Sequence, residues 1–257
     1  MGRWVGGRKQ VRVPLWKSED TTGGRENGGR ENDHVTDEAV TYEAVVFDMD
    51  GVLVEPTEDV VADAIYAAFE ACGVANPPGE HVENLVAGAT VEDVRSVCAP
   101  HGIDPATFWH TRDSEASRAQ VRKIEAGGKP PYEDVAVLDD LDVPMGVVSS
   151  NQQATVEFVL GHHGLTDYFA VAYGRPPALS DIPRRKPHPH FIERTLADLG
   201  VEHALYVGDS VSDVYAAHRA GLDSLFVRRA HRAELALPVE PTYEVESLWP
   251  LPELVHS

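Results

Sequence analysis

The sequence predicts an α/β fold: a parallel sheet core with helices on both faces and an inserted α-helical subdomain. Three observations predict it. Short apolar runs alternate with helical patterns from residue 144 onward. Strand signals vanish between about residues 56 and 130. Two of the apolar runs end in acidic turns, Asp48-Met49-Asp50-Gly51 and Gly208-Asp209-Ser210. Strand and helix in alternation favour a parallel sheet, because each crossover needs a helix to return the chain to the same end of the sheet.

In chain order, residues 1–38 carry the near-repeat Gly23-Gly24-Arg25-Glu26-Asn27 and Gly28-Gly29-Arg30-Glu31-Asn32 and no apolar periodicity. This composition predicts a disordered tail; a basic interaction arm is the weaker alternative, since its cations are scattered among glycines and acids. Order is expected to begin at Tyr42–Phe47, a buried strand running into a glycine turn. Amphipathic helices follow over Thr57–Ala71, Thr90–Ala99 and Pro105–Glu125, with Thr57, Thr90 and Asp104 at N-cap positions. Lys129-Pro130-Pro131 reads as the linker that returns the chain to the core, before a further helix over Tyr132–Leu141. The domain boundaries are therefore 39–55 and 131–257 for the core and 56–130 for the helical insertion.

Further strands are predicted at Pro144–Val148, Phe169–Tyr173, Ala204–Val207 and Ser224–Val227. Helices lie between them at Gln152–His162, His188–Leu199 and Val211–Ala220, the last stopped by Gly221. Tyr243–Val245 adds a short strand and Leu251–Val255 a last helix.

A chain of 257 residues that is 42% apolar is long enough for one large domain, or one domain with an insertion. No apolar run approaches the roughly 18 residues of a membrane helix, and the N-terminus lacks a secretory h-region, so a soluble cytoplasmic protein without a membrane partner is expected. Cys72 and Cys98 are too few for a disulfide framework and lack zinc-ligand spacing; buried or half-buried thiols are the expectation. The formal net charge of −20 opposes binding to a phosphate backbone and excludes generic nucleic-acid recognition.

The charge is uneven. Residues 1–34 hold seven basic and five acidic residues, and subtracting these from the totals of 22 and 42 leaves 15 basic and 37 acidic. Only Lys123, Lys129 and Lys186 remain as lysines in that larger part. Such an acidic, lysine-poor chain resembles proteins adapted to high salt, while an ordinary acidic enzyme accounts for the charge equally well.

Four segments carry chemistry. Asp48 and Asp50 stand two positions apart after a buried strand, on one side in extended geometry, where ligands of open parallel sheets bind; the plainer reading is a turn. Asp209 and Asp213 repeat the pattern after Leu205-Tyr206-Val207. There the plainer reading, that Asp209 or Ser210 caps the next helix, explains one acid but not the repetition. Convergent carboxylates at 4 Å repel by about 4 kcal/mol per pair at an effective dielectric near 20, so a cation must compensate; all-oxygen ligation suits Mg²⁺. Lys186, set by prolines at 187 and 189, is a positive partner for a carboxylate and a phosphoryl group, or a solvated lysine before a helix. Ser149, Ser150 and Asn151 end another strand with donors that hold a phosphate oxygen or cap a helix. His188 and His190 lack the partners for soft-metal ligation and read as structural or exposed.

In this order and on these strand ends, the four segments resemble the haloacid dehalogenase superfamily, over residues 42 to 257, in its phosphoglycolate-phosphatase-like and sugar-phosphatase-like branch. The resemblance implies a Rossmann-like core and makes the helical insertion a cap that closes over small substrates. It makes Asp48 the nucleophile and Asp50 the acid and base. It assigns phosphoryl binding to Ser149, with Ser150 and Asn151 beside it and either serine open as the donor, and charge stabilisation to Lys186. Asp48, the main-chain carbonyl of Asp50, Asp209 and its neighbour Asp213 become the Mg²⁺ site. Asp50 itself favours phosphate-ester chemistry over dehalogenation. The implied partner is a small phosphorylated metabolite and the implied activity a Mg²⁺-dependent phosphatase. A phosphomutase is the nearest alternative, and a non-catalytic binding protein on the same fold is an alternative of another class. Arg112, Arg118 and Arg122 of the insertion read substrate or simply face solvent, as helix-surface charges usually do.

One expectation follows from charge alone. Raising KCl from 0.1 M to 1 M shortens the Debye length from about 10 Å to about 3 Å, so thermal melts at fixed saturating Mg²⁺ should show a rising midpoint. A flat or falling midpoint would show that the acidic surface is already balanced locally.

Overall fold

The computed structural model describes residues 41–56, 60–86 and 88–256; the tail expected over 1–38 and the cap position Thr57 lie outside the described residues. Six parallel strands form one sheet: β1 (Ala44–Phe47), β2 (Met145–Gln152), β3 (Val171–Arg175), β4 (Ala204–Gly208), β5 (Asp223–Val227) and β6 (Tyr243–Val245), in the order β3-β2-β1-β4-β5-β6. From β1 the chain builds outward through β2 and β3, then crosses back to start β4 on the other side of β1. A crevice opens at that reversal, between the carboxyl ends of β1 and β4.

The strand period of two sorts the core into two layers. Val45, Phe47, Val147 and Val207 face one side and pack against α5 (Gln153–His162) and α8 (Leu251–Val255). Ala44, Val46, Val148 and Tyr206 face the other and pack against α6 (His190–Leu199) and α7 (Val211–Arg219). Both faces are thereby covered, as a parallel sheet requires. Among the described residues no helix is long and apolar enough to cross a membrane.

Between β1 and β2 the chain forms α1 (Val60–Ala71), α2 (Gly79–Val86), α3 (Val91–Cys98) and α4 (Pro105–Glu125), around a core that includes Ile65, Phe69, Val94, Phe108 and Trp109. Thr90 caps α3 in a reciprocal capping box with Asp93, and Asp104 caps α4 by accepting from Thr107 N at 2.8 Å, with Pro105 supplying a preset φ. Cys98 is buried and Cys72 half-buried, both free thiols.

Three local readings change. The helix expected at Tyr132–Leu141 is a 3₁₀ helix over Glu133–Asp140; its buried Val135, Val137 and Leu138 follow no α-helical stripe, and Asp139 and Asp140 oppose the dipole at its C-terminal end. Helix α2 was not anticipated, because Val82 and Leu85 are its only buried residues, too few for a periodic signal. β2 continues four residues past Val148 through Ser149–Gln152, which are polar because that end of the strand meets a cleft.

A buried ion pair fastens the segments that follow β1 and β5. Arg229 Nη1 and Nη2 donate to Asp134 at 2.5 and 2.9 Å, Nη2 also donates to Val52 O at 2.8 Å, and the guanidinium lies 3.9 Å from the centre of the Tyr132 ring. Leu248 N donates to the same carboxylate at 2.7 Å. Four chain segments meet there, so removing one partner strands a buried charge. Asp134→Ala should cost about 3–5 kcal/mol in urea unfolding; a loss under about 1 kcal/mol, the scale of an exposed pair, would show that the guanidinium finds water instead.

Candidate active site

Asp48 follows the last residue of β1, and its N donates to Val207 O at 2.8 Å, which extends the β1–β4 ladder by one step. The chain then closes tightly: Met49 O accepts from Leu53 N and Val54 N at 3.0 and 3.1 Å, while Gly51 takes φ +80°. Only glycine fits at 51, because a Cβ there would stand 2.2 Å from Asp209 Oδ2. The register Phe47↔Val207 sets Asp209 beside this turn.

Lys186 joins the strand ends. Its buried Nζ lies 2.8 Å from Asp48 Oδ1 and 2.6 Å from Asp213 Oδ1, and it donates to Val148 O at 3.2 Å and Tyr206 OH at 3.1 Å. Burial opposes its charge, but Asp213 and Asp48 outweigh that and hold its pKa well above the ordinary lysine range. Burial pushes the Asp48 carboxyl well above the ordinary range; Lys186 pulls it down, while Asp213 and Asp50 push it further up. Asp213 is also fixed through its other oxygen, which accepts from Ser210 N at 3.0 Å and Ser210 Oγ at 2.6 Å in the capping box that opens α7. Ser210 is therefore the cap, and Asp209 is not.

One ligand oxygen from each of Asp48, Asp209 and Asp213 lies within 4.8 Å of the other two, all three residues being buried. This all-oxygen set, with a carboxyl held unfavourably high and the glycine at 51 leaving room, fits a small hard cation. The carboxylate of Asp50 is not part of that cluster. It pairs instead with Lys129 Nζ, and Asn151 Nδ2 donates to it at 3.3 Å. Gln120 of α4 exchanges two hydrogen bonds with Asn151, at 2.8 and 2.9 Å.

A cleft of about 360 Å³ runs between the strand ends and the helical insertion, lined by Asp48, Asp50, Ser149, Ser150, Asn151, Lys186 and Asp209. The anticipated residues thus share one cavity, with Asp213 behind Lys186. Ser149 is buried and Ser150 exposed, and both line the cleft. His188 is exposed.

Some groups were not anticipated from sequence. Lys129 was read as linker, yet it is 4% exposed and sits on Asp50; its signal was its rarity, as one of three lysines after residue 34. His231 Nε2 and Arg232 Nε lie 2.7 and 3.0 Å from Asp209 Oδ2, and their signal was a basic run placed just past a strand. Arg112 does not face solvent but lines the cleft, whereas Arg118 and Arg122 lie on a separate hollow beside α5.

A doubly covered parallel sheet with carboxylates converging at its switch point defines an α/β protein with a candidate cation- and phosphate-binding site. More particularly, the family model of haloacid dehalogenase-like hydrolases matches residues 45–227, and the chain belongs to that family. It is 27% identical over 192 residues to a phosphoglycolate phosphatase of Rhodobacter capsulatus, covering 73% of this chain and 84% of that one. It is 24% identical over 218 residues to the pyrophosphatase PpaX of Halalkalibacterium halodurans, covering 82% and 95%. The structure of CbbY from Rhodobacter sphaeroides, in complex with phosphate, shares the fold at TM-score 0.58 and 19% identity, covering 80% of this chain and 93% of that one.

Gly51→Ala tests the approach of the two strand ends. The added methyl must displace Asp209, so phosphatase activity should fall on the order of a hundredfold. Full activity in the variant would show that Asp209 need not stand there.

Proposed function

We propose that the chain is a Mg²⁺-dependent phosphatase that hydrolyses a small phosphate monoester through an aspartyl-phosphate on Asp48. The observation that carries this reading is the Asp48–Lys186–Asp213 chain across the switch point with Asp209 beside it. Lys186 donates to the one Asp48 oxygen that also accepts from Met49 N at 2.7 Å, leaving the other oxygen to attack phosphorus. As the Asp48–phosphorus bond forms, the ester P–O bond breaks and Asp50 gives its proton to the departing alkoxide. Asp50 then takes a proton from water, whose oxygen attacks the phosphorus, and the bond to Asp48 breaks to release inorganic phosphate. Lys186 neutralises charge on nucleophile and phosphoryl group throughout, and Ser149, Ser150 and Asn151 donate to the phosphoryl oxygens.

Asp48, Asp209 and the main-chain carbonyl of Asp50 would hold Mg²⁺, with Asp213 steadying the set. The ion supplies positive charge against which the carboxylate and phosphoryl oxygens can approach. Residues 56–130 act as the cap that excludes water during transfer. Relatives named for phosphoglycolate and pyrophosphate cleavage support a small phosphorylated metabolite. The net charge of −20 opposes nucleic-acid binding, and a cytoplasmic location is part of this reading.

Asp48→Asn should lower phosphate release from p-nitrophenyl phosphate by on the order of 10³ or more. Acid-quenched wild type should yield a phosphorylated Asp48 peptide, and chelation should abolish activity that Mg²⁺ restores. Near-normal release by Asp48→Asn rejects the covalent route; activity indifferent to chelation rejects the metal.

A further inference from the structure

Asp209 and Asp213 share one crevice but use their oxygens differently. An ionised carboxylate has about four acceptor sites, two on each oxygen. Asp213 fills both oxygens: Lys186 Nζ and Tyr206 OH stand 2.6 and 3.1 Å from Oδ1, and Ser210 N and Oγ donate to Oδ2 at 3.0 and 2.6 Å. In Asp209 both contacts fall on a single oxygen. His231 Nε2 and Arg232 Nε stand 2.7 and 3.0 Å from Oδ2, and Oδ1 takes neither. Facing a carboxylate, the imidazole nitrogen presents its N–H, so two donors fill Oδ2. The turn after Asp50 closes the same oxygen in, since a Cβ at Gly51 would stand 2.2 Å from Oδ2 and 3.0 Å from His231 Nε2.

The segment that carries the two donors is fixed by other contacts. After β5 the chain forms a short 3₁₀ turn, Ala230–Arg232. Arg232 N donates to Arg229 O at 2.8 Å, and Arg228 Nη1 donates to Arg232 O and Leu235 O at 3.0 and 2.9 Å. Arg229 is itself anchored on Asp134 and Val52 O. The turn therefore needs no further tether through Asp209. A partly exposed ion pair would be a weak one in any case, and the Arg232 side chain is 36% exposed. What the two contacts do is choose an oxygen.

We infer that His231 and Arg232 are positioning residues for the cation: by filling Oδ2 they limit Asp209 to ligation through Oδ1 alone, which favours Mg²⁺ over a larger ion such as Ca²⁺. This role rests on the Mg²⁺ reading of the site and deepens it. Mg²⁺ demands near-octahedral single-oxygen contacts at about 2.0–2.1 Å, whereas Ca²⁺ takes about six to eight oxygens and readily accepts both from one carboxylate. A carboxylate released from its two donors can turn both oxygens to the ion. Partners that hold a metal ligand from behind typically change its affinity by about 10–100-fold.

The test is calorimetric titration of the full-length, substrate-free chain with MgCl₂ and, separately, CaCl₂, at one pH and constant ionic strength. His231→Leu and Arg232→Met should each weaken Mg²⁺ binding by on the order of tenfold and Ca²⁺ binding less, so that the preference for Mg²⁺ falls. His231→Gln keeps an N–H near the Nε2 position and should hold the wild-type preference. His231→Asn, polar but too short to reach, carries the same expectation as His231→Leu and replaces it if circular dichroism shows the leucine variant unfolded. Unchanged affinities in folded variants, or equal losses for the two ions, overturn the inference and leave the Mg²⁺ reading standing. Tighter Mg²⁺ binding overturns it as well, because the two groups would then compete with the ion for Asp209. A wild type that takes up no Mg²⁺ overturns the metal reading and the inference with it.

Discussion

The site is organised around the buried ammonium group of Lys186. Lys186 Nζ sits between Asp48 after β1 and Asp213 on α7, and it also reaches the Val148 carbonyl of β2 and the hydroxyl of Tyr206 on β4. Without that charge, Asp48 and Asp213 would share a buried crevice with no cation between them, since Lys129 sits on Asp50 and His231 and Arg232 sit on Asp209. With it, three neighbouring strands are tied at their carboxyl ends, and burial strengthens each contact because little water intervenes. The same interaction orients Asp48, since one of its oxygens is committed to Lys186 and to Met49 N. The cation that permits the cluster thus also commits one Asp48 oxygen and leaves the other free of both contacts.

The helical insertion is coupled to this centre through polar contacts. Lys129 and Gln120 bring α4 and its return leg onto Asp50 and Asn151. Asp113 brings the same helix onto Arg175 of β3, and the Arg185 bond to Ala89 O ties the loop before Lys186 to the turn ahead of α3. These contacts are directional, and the Asp113–Arg175 pair among them is buried on both sides, while Ile182 adds an apolar contact with the core of the insertion.

The sheet was legible because β-strand patterns buried on both faces are continuous and apolar, as at Ala44–Phe47 and Ala204–Val207. The acids at the strand ends were legible because they lie directly after such strands, at positions that local geometry alone fixes. What escaped was whatever depends on tertiary approach. Lys129 next to two prolines reads as linker until the return of α4 puts it on Asp50. His231 and Arg232 meet Asp209 because β5 lies beside β4, a neighbour relation the sequence does not spell out. Arg112 reads as helix surface until β3 brings Arg175 to the same carboxylate. The polar end of β2 was missed for the complementary reason: strand signals depend on apolar residues, and Ser149–Gln152 serve the cleft.

The charge distribution gives these contacts a common setting. A chain with formal net charge −20 holds three lysines after residue 34, and two of them, Lys129 and Lys186, are buried at the cleft, joined by Arg112, Arg175, Arg185 and Arg232 along its walls. Six of the 15 basic residues after residue 34 are thus gathered at the cleft, while others, such as Arg95, Arg118, Arg194 and Arg219, stay exposed. The two populations respond to salt differently. Surface acids repel through solvent, so added salt relieves them; the buried pairs act across protein at 2.6–2.8 Å and are screened far less. An acidic exterior and a cationic cleft are therefore compatible in one chain, because the mobile ions that quiet the first hardly reach the second.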